Sequence, residues 1–325
     1  MPDIAFVAPI VSALVTLLLV VWMLRARDRL PLDVPNDRSL HLLPVPRSGG
    51  MAIMAGIFAG FAILQTPLTI VLPAATLVVV SHFDDARGLP IPVRLGAQLA
   101  AAAGFAFGAL PADASSLVVV LGILWMTNLY NFMDGSDGLA GGMTVIGFTS
   151  LAAGAWMSGN AAASIECAIV GAAGAAFLLF NFPPAKLFMG DAGSVPLGFL
   201  AAALSLSGWR DGDWPLWFPV AVFAPFIADA TVTLLKRAAA RERIWEAHNK
   251  HYYQRLVRTG WSHRRTALAE YALMLACGIV ALWALRQPLY LQLAAILALV
   301  ALHAGLALRV ERAWRDRENS HIESA

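Results

Sequence analysis

Charge is scarce in this chain. Only 14% of its 325 residues are Asp, Glu, Lys or Arg, where a soluble domain carries about a quarter. So few charges cannot cover a water-facing surface, which excludes an ordinary soluble globule. Cysteine is scarcer still. Cys167 and Cys277 sit in separate apolar stretches, so no metal-thiolate or redox spacing exists and both read as small packing residues. There is no solenoid-type repeat, no low-complexity linker and no stretch that suggests a separate soluble domain. The leader MPDI lacks positive charge, and Arg25, Arg27 and Arg29 follow the first apolar stretch. That charge order predicts an uncleaved first span with its N-terminus outside, not a signal peptide.

What the chain has in quantity is apolar sequence, 59% of it. Apolar segments run over 4–24, 49–66, 67–81, 95–111, 116–130, 142–158, 161–181, 194–209, 214–235, 266–285 and 288–308. About 20 such residues cross a hydrocarbon core of roughly 30 Å. The expected fold is therefore all-α: a polytopic membrane bundle of about eleven transmembrane helices. Residues 1–310 read as one transmembrane domain, which would carry any active site, and 311–325 as a tail, short and amphipathic or frayed. Gly and Ala run through the spans (AAAGFAFGAL, GAAGAAF), which suits close helix packing in lipid.

The connecting segments are of two kinds. QTP, PADAS, SGN, WRDGD and RQP are brief and plain. Those at 25–48, 82–94, 131–141, 182–193 and 236–265, with the tail from Arg309, are longer and polar. The two kinds alternate, so they fall on opposite sides of the membrane. Of 23 Lys and Arg residues, Arg210 and Arg286 belong to the plain set and the other 21 to the polar set or its helix ends. The positive-inside rule then makes the polar face and the C-terminus cytoplasmic, with the N-terminus periplasmic.

That polar face carries Asp84, Asp85, Asp134, Asp137 and Asp191, and Asp229 lies near the inner end of the ninth span. Carboxylates at a membrane mouth are expensive to keep and mark function by default. In NLYNFMDGSDGLAGG, residues 128–142, the spacing of three lets Asn128, Asn131 and Asp134 share a helix face, while Asp137 cannot join them on a straight helix. Gly135 and Gly138 allow the chain to fold back, so that all four groups converge. Converging carboxylates and amides without a His/Cys pair suit a hard cation held by oxygen, with Mg²⁺ the usual ion and Mn²⁺ the alternate.

Three stretches in this order, DDxxGLP (84–90), NxxNFMDGxDGLAGG (128–142) and FNxPPAKLFMGDAGS (180–194), resemble the signatures of the polyprenyl-phosphate N-acetylhexosamine-1-phosphate transferases. The resemblance covers Asn36 to about Arg265 and implies transfer of a sugar-1-phosphate from a UDP-sugar to undecaprenyl phosphate, with release of UMP. It implies a metal-ligating Asp191 and an Asp84-Asp85 pair that either binds metal or activates the lipid phosphate. Asn128, Asn131, Asp134 and Asp137 would line the nucleotide site. Phe188 would stack on uracil, or else serve as a packing aromatic. Lys186 reads as a phosphate contact or as an interfacial lysine.

Where relatives have a His-rich run, this chain has AHNKHYYQRL, keeping His248 and His251 and placing Tyr253 and Gln254 where further histidines would fall. His251 is the candidate catalytic histidine; His248 and Arg255 are candidate substrate contacts. This variant resembles the O-antigen-initiating branch, whose donors include 6-deoxy-N-acetylhexosamines, more than the muramyl-pentapeptide branch. The early basic loop PNDRSLHLLPVPRSGG holds Asn36, Arg38, His41 and Arg47, with prolines that rule out a continuous helix. Its counterpart lies at the active-site edge, so Arg47 joins the substrate-binding set. Expected partners are the UDP-sugar, undecaprenyl phosphate and membrane lipid, with no nucleic acid and a homodimer allowed. The expected location is a bacterial inner membrane. An ion-coupled transporter of a nucleotide sugar or other anion is the rival reading, but it would place its acids near the midplane on broken helices.

Overall fold

The computed structural model describes residues 5–26, 30–35, 40, 44–109, 115–243 and 248–323. The helices in chain order are α1 (Ala8–Arg25), α2 (Gly49–Leu64), α3 (Leu68–Arg87), α4 (Ile91–Ala109), α5 (Ser116–Phe132), α6 (Leu139–Ser158) and α7 (Ala161–Asn181). They continue with α8 (Asp191–Arg210), α9 (Trp217–Val222), α10 (Ala224–Ala239), α11 (Tyr252–Arg258), α12 (His263–Ala284) and α13 (Leu289–Glu323). Among the described residues eight helices are long and apolar enough to cross a membrane, and α2 and α5 are shorter apolar helices. With the α9–α10 pair, every expected apolar segment is helical, and the protein is an all-α polytopic membrane protein.

Helix ends moved where hydropathy and hydrogen bonding part company. The third segment was expected to stop at residue 81, yet α3 continues through Arg87 and ends at Gly88, whose φ is +67°. Asp84 and Asp85 therefore ride on a helix rather than in a loop. The last segment was expected to end at 308, but α13 runs to Glu323, because a polar sequence of good helix formers continues a helix beyond the lipid. The ninth segment is two helices that meet at Phe223, with Pro225 opening the second. The break is wrapped in aromatic rings: Phe223 packs on Phe148 at 5.8 Å and Phe226 on Tyr130 at 5.2 Å between centroids.

The centre of the bundle is α8, almost wholly buried and packed against α2, α3, α4, α5, α6 and α7. Small residues allow those approaches. A Cβ at Gly50 would lie 2.2 Å from the Gly193 nitrogen, and one at Gly198 would lie 2.8 Å from the Met126 carbonyl. Glycine at these crossings therefore sets how close α2 and α5 come to α8. Large apolar side chains such as Leu18, Trp22, Leu121 and Leu297 cover the outside.

The early basic loop is tied into this frame by short strands. β1 (Leu32–Asp33) pairs antiparallel with β2 (Val45–Pro46). The chain then runs beside the segment before α8: Phe188 N–H donates to Pro46 O at 2.8 Å, and Gly49 and Gly50 N–H donate to Phe188 O and Met189 O at 2.9 and 2.8 Å. This stitching delivers Arg47 to the N-terminus of α8.

Candidate active site

Asp191 opens α8, and Arg47 reaches it at 2.6 Å while also pairing with Asp85 at 2.9 Å. Asp85 in turn accepts the Asp191 and Ala192 amides at 3.2 and 3.0 Å. A carboxylate at a helix N-terminus satisfies orphan amides and meets the positive end of the dipole. Gly190 makes the corner possible: its φ is +74°, and a Cβ there would sit 3.0 Å from Asp85 Oδ2 and 3.1 Å from Arg47 Cγ. Asp85 thus ties Arg47 to the head of α8 through one carboxylate, with its side chain only 9% exposed.

Its neighbour turns elsewhere. Consecutive helical residues diverge by about 100°, and Asp84 accepts from Leu89 N–H at 2.7 Å and Arg94 Nη1 at 3.0 Å. Each aspartate therefore has its own arginine, and the two carboxylates point to different partners. Arg94 was not anticipated from the sequence.

Two cavities meet here. One is a groove of about 480 Å³, apolar along Leu77, Ile91, Leu95, Leu121, Trp125 and Val195, with Asp84, Arg94, Gln98 and Asn128 at its polar end. The other is a polar cavity of about 470 Å³ lined by Arg47, Asn131, Asp134, Asp137, Phe188, Asp191, His248, Tyr253, Gln254 and His263 among others. Asn131, Phe132 and Asp191 border both.

Of the four polar groups expected to converge from residues 128–142, three do. Asn131 accepts from Ser194 Oγ at 2.8 Å, Asp134 faces the cavity, and Asp137 accepts from Ala185 N–H at 2.9 Å. Asn128 does not join them; α5 is still helical there, and its amide donates to Gln98 Oε1 at 2.8 Å in the groove. Burial pushes the Asp134 carboxyl well above the carboxylate range, Asp191 and Asp85 add to that, and Arg47 opposes it.

Asn181, inside the third signature, ties the corner together by accepting from Gly138 N–H and donating to Leu187 O, both at 3.0 Å. The stretch carrying it was recognisable, but its buried structural role was not. His263 was missed too. Its Nε2–H donates to the Leu40 carbonyl at 3.1 Å, and its Nδ1 lies 3.0 Å from Ser136 Oγ and 3.8 Å from Asp137 Oδ1.

The remaining expected residues divide. Phe188 and His248 line the polar cavity. Burial first, then the charges of His251, Arg237 and Lys250, lower the His248 pKa to about 4, so at neutral pH it offers a hydrogen bond and no charge. His251 lines neither cavity; it is 2% exposed, and its Nδ1 donates to Asp229 at 3.1 Å. Asp229 also accepts the Tyr252 and Tyr253 amides at 2.9 and 3.0 Å, so this span carboxylate anchors α11. Lys186 is exposed and outside both cavities. Arg255 turns away, its guanidinium stacked over Tyr252 and Trp314. Asn36, Arg38 and His41 lie outside the described residues.

Among the described residues no three His, Cys, Asp or Glu side chains form a ready metal cluster. Yet Asp85 and Asp191 pair with one guanidinium and Asp134 lines the same cavity as Asp191, a concentration of hard oxygen donors. Mg²⁺ uses one or two carboxylates, substrate phosphates and several waters rather than a closed protein cage, so the donor set fits it.

Residues 67–208 match the family model described as glycosyl transferase family 4. A probable undecaprenyl-phosphate N-acetylglucosaminyl 1-phosphate transferase of Bacillus subtilis (strain 168) is 31% identical over 90% of this chain and 88% of its own length. The chain belongs to glycosyl transferase family 4. A decaprenyl-phosphate N-acetylglucosaminephosphotransferase of Mycobacterium tuberculosis (strain ATCC 25618 / H37Rv) is 30% identical over 76% of this chain and 73% of its own. A phospho-N-acetylmuramoyl-pentapeptide-transferase of Staphylococcus aureus (strain JH9) is 32% identical over 51% of each chain. The family 4 match spans α3 to α8, which carry both aspartates of the Asp84-Asp85 sequence, the central signature and Asp191. Residues 248–263, which complete the polar cavity, lie beyond it.

Proposed function

We propose that this protein transfers an N-acetylhexosamine phosphate, or its 6-deoxy counterpart, from a UDP-sugar to undecaprenyl phosphate. The products are undecaprenyl-pyrophosphoryl-sugar and UMP, and the reaction starts O-antigen or another envelope glycan on the cytoplasmic face of the inner membrane. The observation that carries this reading is the meeting of an apolar groove with a polar cavity at Asn131 and Asp191. A reaction joining a lipid to a nucleotide sugar needs that junction. The relatives matched over most of their length carry N-acetylglucosamine and a polyprenyl phosphate in their names, which supports the donor and acceptor classes.

In this reading the prenyl chain lies in the groove and its phosphate reaches the polar end beside Asp84 and Arg94. The uracil stacks on Phe188, and Asn131, Asp137 and the neutral His248 supply hydrogen bonds to the donor. An oxygen of the acceptor phosphate attacks the sugar-linked phosphorus. One P–O bond forms, the P–O bond to UMP breaks, and the electron pair leaves on UMP. Phosphate monoesters have a second pKa near 6, so the acceptor is largely ionised at neutral pH and needs positioning more than deprotonation. Arg47 offers its charge where the diphosphate would lie, and Asp85 keeps it there. Asp191, with Asp134, would hold Mg²⁺, which would neutralise charge on the transferring phosphates.

The test is a donor panel: purified protein, undecaprenyl phosphate, Mg²⁺ and several UDP-N-acetylhexosamines, with the lipid product identified by mass. UMP release that requires both lipid phosphate and Mg²⁺ is expected. Passage of an intact nucleotide sugar across a vesicle without UMP release would refute the enzyme and favour a transporter.

A further inference from the structure

The polar end of α13 is docked against the site rather than trailing from it. Tyr252 donates its hydroxyl to Glu311 Oε1 at 2.5 Å, and Lys236 Nζ, near the end of α10, donates to the same tyrosine oxygen at 2.9 Å. Lys236 and Glu311 also form an ion pair. The Arg255 guanidinium lies 5.4 Å from the Tyr252 ring centroid and 5.7 Å from that of Trp314. These contacts hold one side of α11. Its other side is cavity wall: Tyr253 and Gln254 line the polar cavity with His248, and Tyr253 Oη donates to Phe132 O at 3.0 Å. A helix of 7 residues is too short to hold itself, so its placement depends on what grips it.

We propose that Glu311 and Trp314 are positioning residues for the donor: the α13 extension clamps α11 so that His248, Tyr253 and Gln254 face the nucleotide sugar. The inference rests on reading the polar cavity as the donor site. The groove is built from α3, α4, α5 and α8 with Leu234 of α10. None of Lys236, Tyr252, Arg255, Glu311 and Trp314 lines it, so loosening the clamp should affect acceptor binding far less than donor binding.

Glu311→Gln, Trp314→Ala, Tyr252→Phe and the Tyr252→Phe/Glu311→Gln double variant test this in the full-length protein. Donor KM, acceptor KM and kcat are measured, together with amide exchange across 251–258. Donor KM should rise about tenfold in Glu311→Gln, the loss expected for a hydrogen bond to a charged group, and about threefold to fivefold in Trp314→Ala, which removes a cation–π contact. Acceptor KM should stay within about twofold, as expected of a separate site. Exchange in 251–258 should quicken. Glu311→Gln should add less in the Tyr252→Phe background than alone, since the shared hydrogen bond is already gone and only the Lys236 ion pair remains to be lost. An unchanged donor KM, or equal rises for donor and acceptor, overturns the clamp. If the wild type turns over no UDP-sugar, the donor-site reading fails separately, and exchange alone decides: faster exchange keeps the clamp and unchanged exchange removes it.

Discussion

Asp85→Asn separates a positioning carboxylate from a reacting one. The native side chain accepts two amides at the head of α8 and pairs with Arg47. Asparagine has similar size but loses the charge and turns one acceptor into a donor that must face an amide or a guanidinium. Hydrogen bonds to charged groups contribute about 1.5–3 kcal/mol each. The three contacts share one carboxylate and are not additive, so a combined loss of about 3 kcal/mol is expected. Because that loss displaces both Asp191 and Arg47, it should appear as a roughly 100-fold fall in kcat and a drop of about 5 °C or more in apparent Tm. The assay is UMP release in detergent at saturating donor and acceptor, paired with thermal unfolding of the same sample. Asp84→Asn is the control. Its groove position and its Arg94 partner predict a raised acceptor KM with a smaller change in Tm. An Asp85→Asn protein with wild-type Tm but no turnover would refute the reasoning, because the group would then act in the chemistry itself.

Gly190→Ala should lose about 1–3 kcal/mol of stability from its backbone alone, a positive-φ extended conformation that glycine readily adopts, and activity with it, because the new methyl would crowd Asp85 and Arg47; full activity would sink that account. His248 has a folded-state pKa near 4 against an ordinary 6.5, so its contribution to stability is complete above pH 6.5 and erodes as pH falls toward 4. The apparent Tm of the wild type should therefore fall more between pH 7 and 4.5 than that of His248→Gln, and parallel slopes would remove this residue from the acid response. A reporter fused after Glu318 should report cytoplasm and one in the WRDGD loop periplasm, as 21 of 23 basic residues on one face demand; the opposite outcome at either position means a miscounted span.

Hydropathy located the spans because burial in lipid is what it measures, and it misplaced their ends for the same reason. α3 and α13 outrun their apolar stretches since a helix stops where its hydrogen bonding stops, at Gly88 in the first case. Those overruns matter more than their length suggests: one carries Asp84 and Asp85, and the other carries Glu311 and Trp314. Once Asp84 and Asp85 are helical, their divergence follows from 100° per residue, and so does the separation of groove from cavity. Arg94 and His263 were harder to see. Arg94 is a lone arginine at the start of a span, where the positive-inside rule already accounts for it. His263 is masked by the arginines that follow it, Arg264 and Arg265. Only the packing of α4 and α12 shows that each meets a signature stretch. Most residues that the signatures mark line the two cavities, whereas Asn181 within a signature, and Asp229 and Glu311 outside them, direct their hydrogen bonds to the protein and hold neighbouring segments in place. Signature strength and structural importance therefore need not coincide. Substitutions at the supporting residues should disturb geometry before they disturb chemistry.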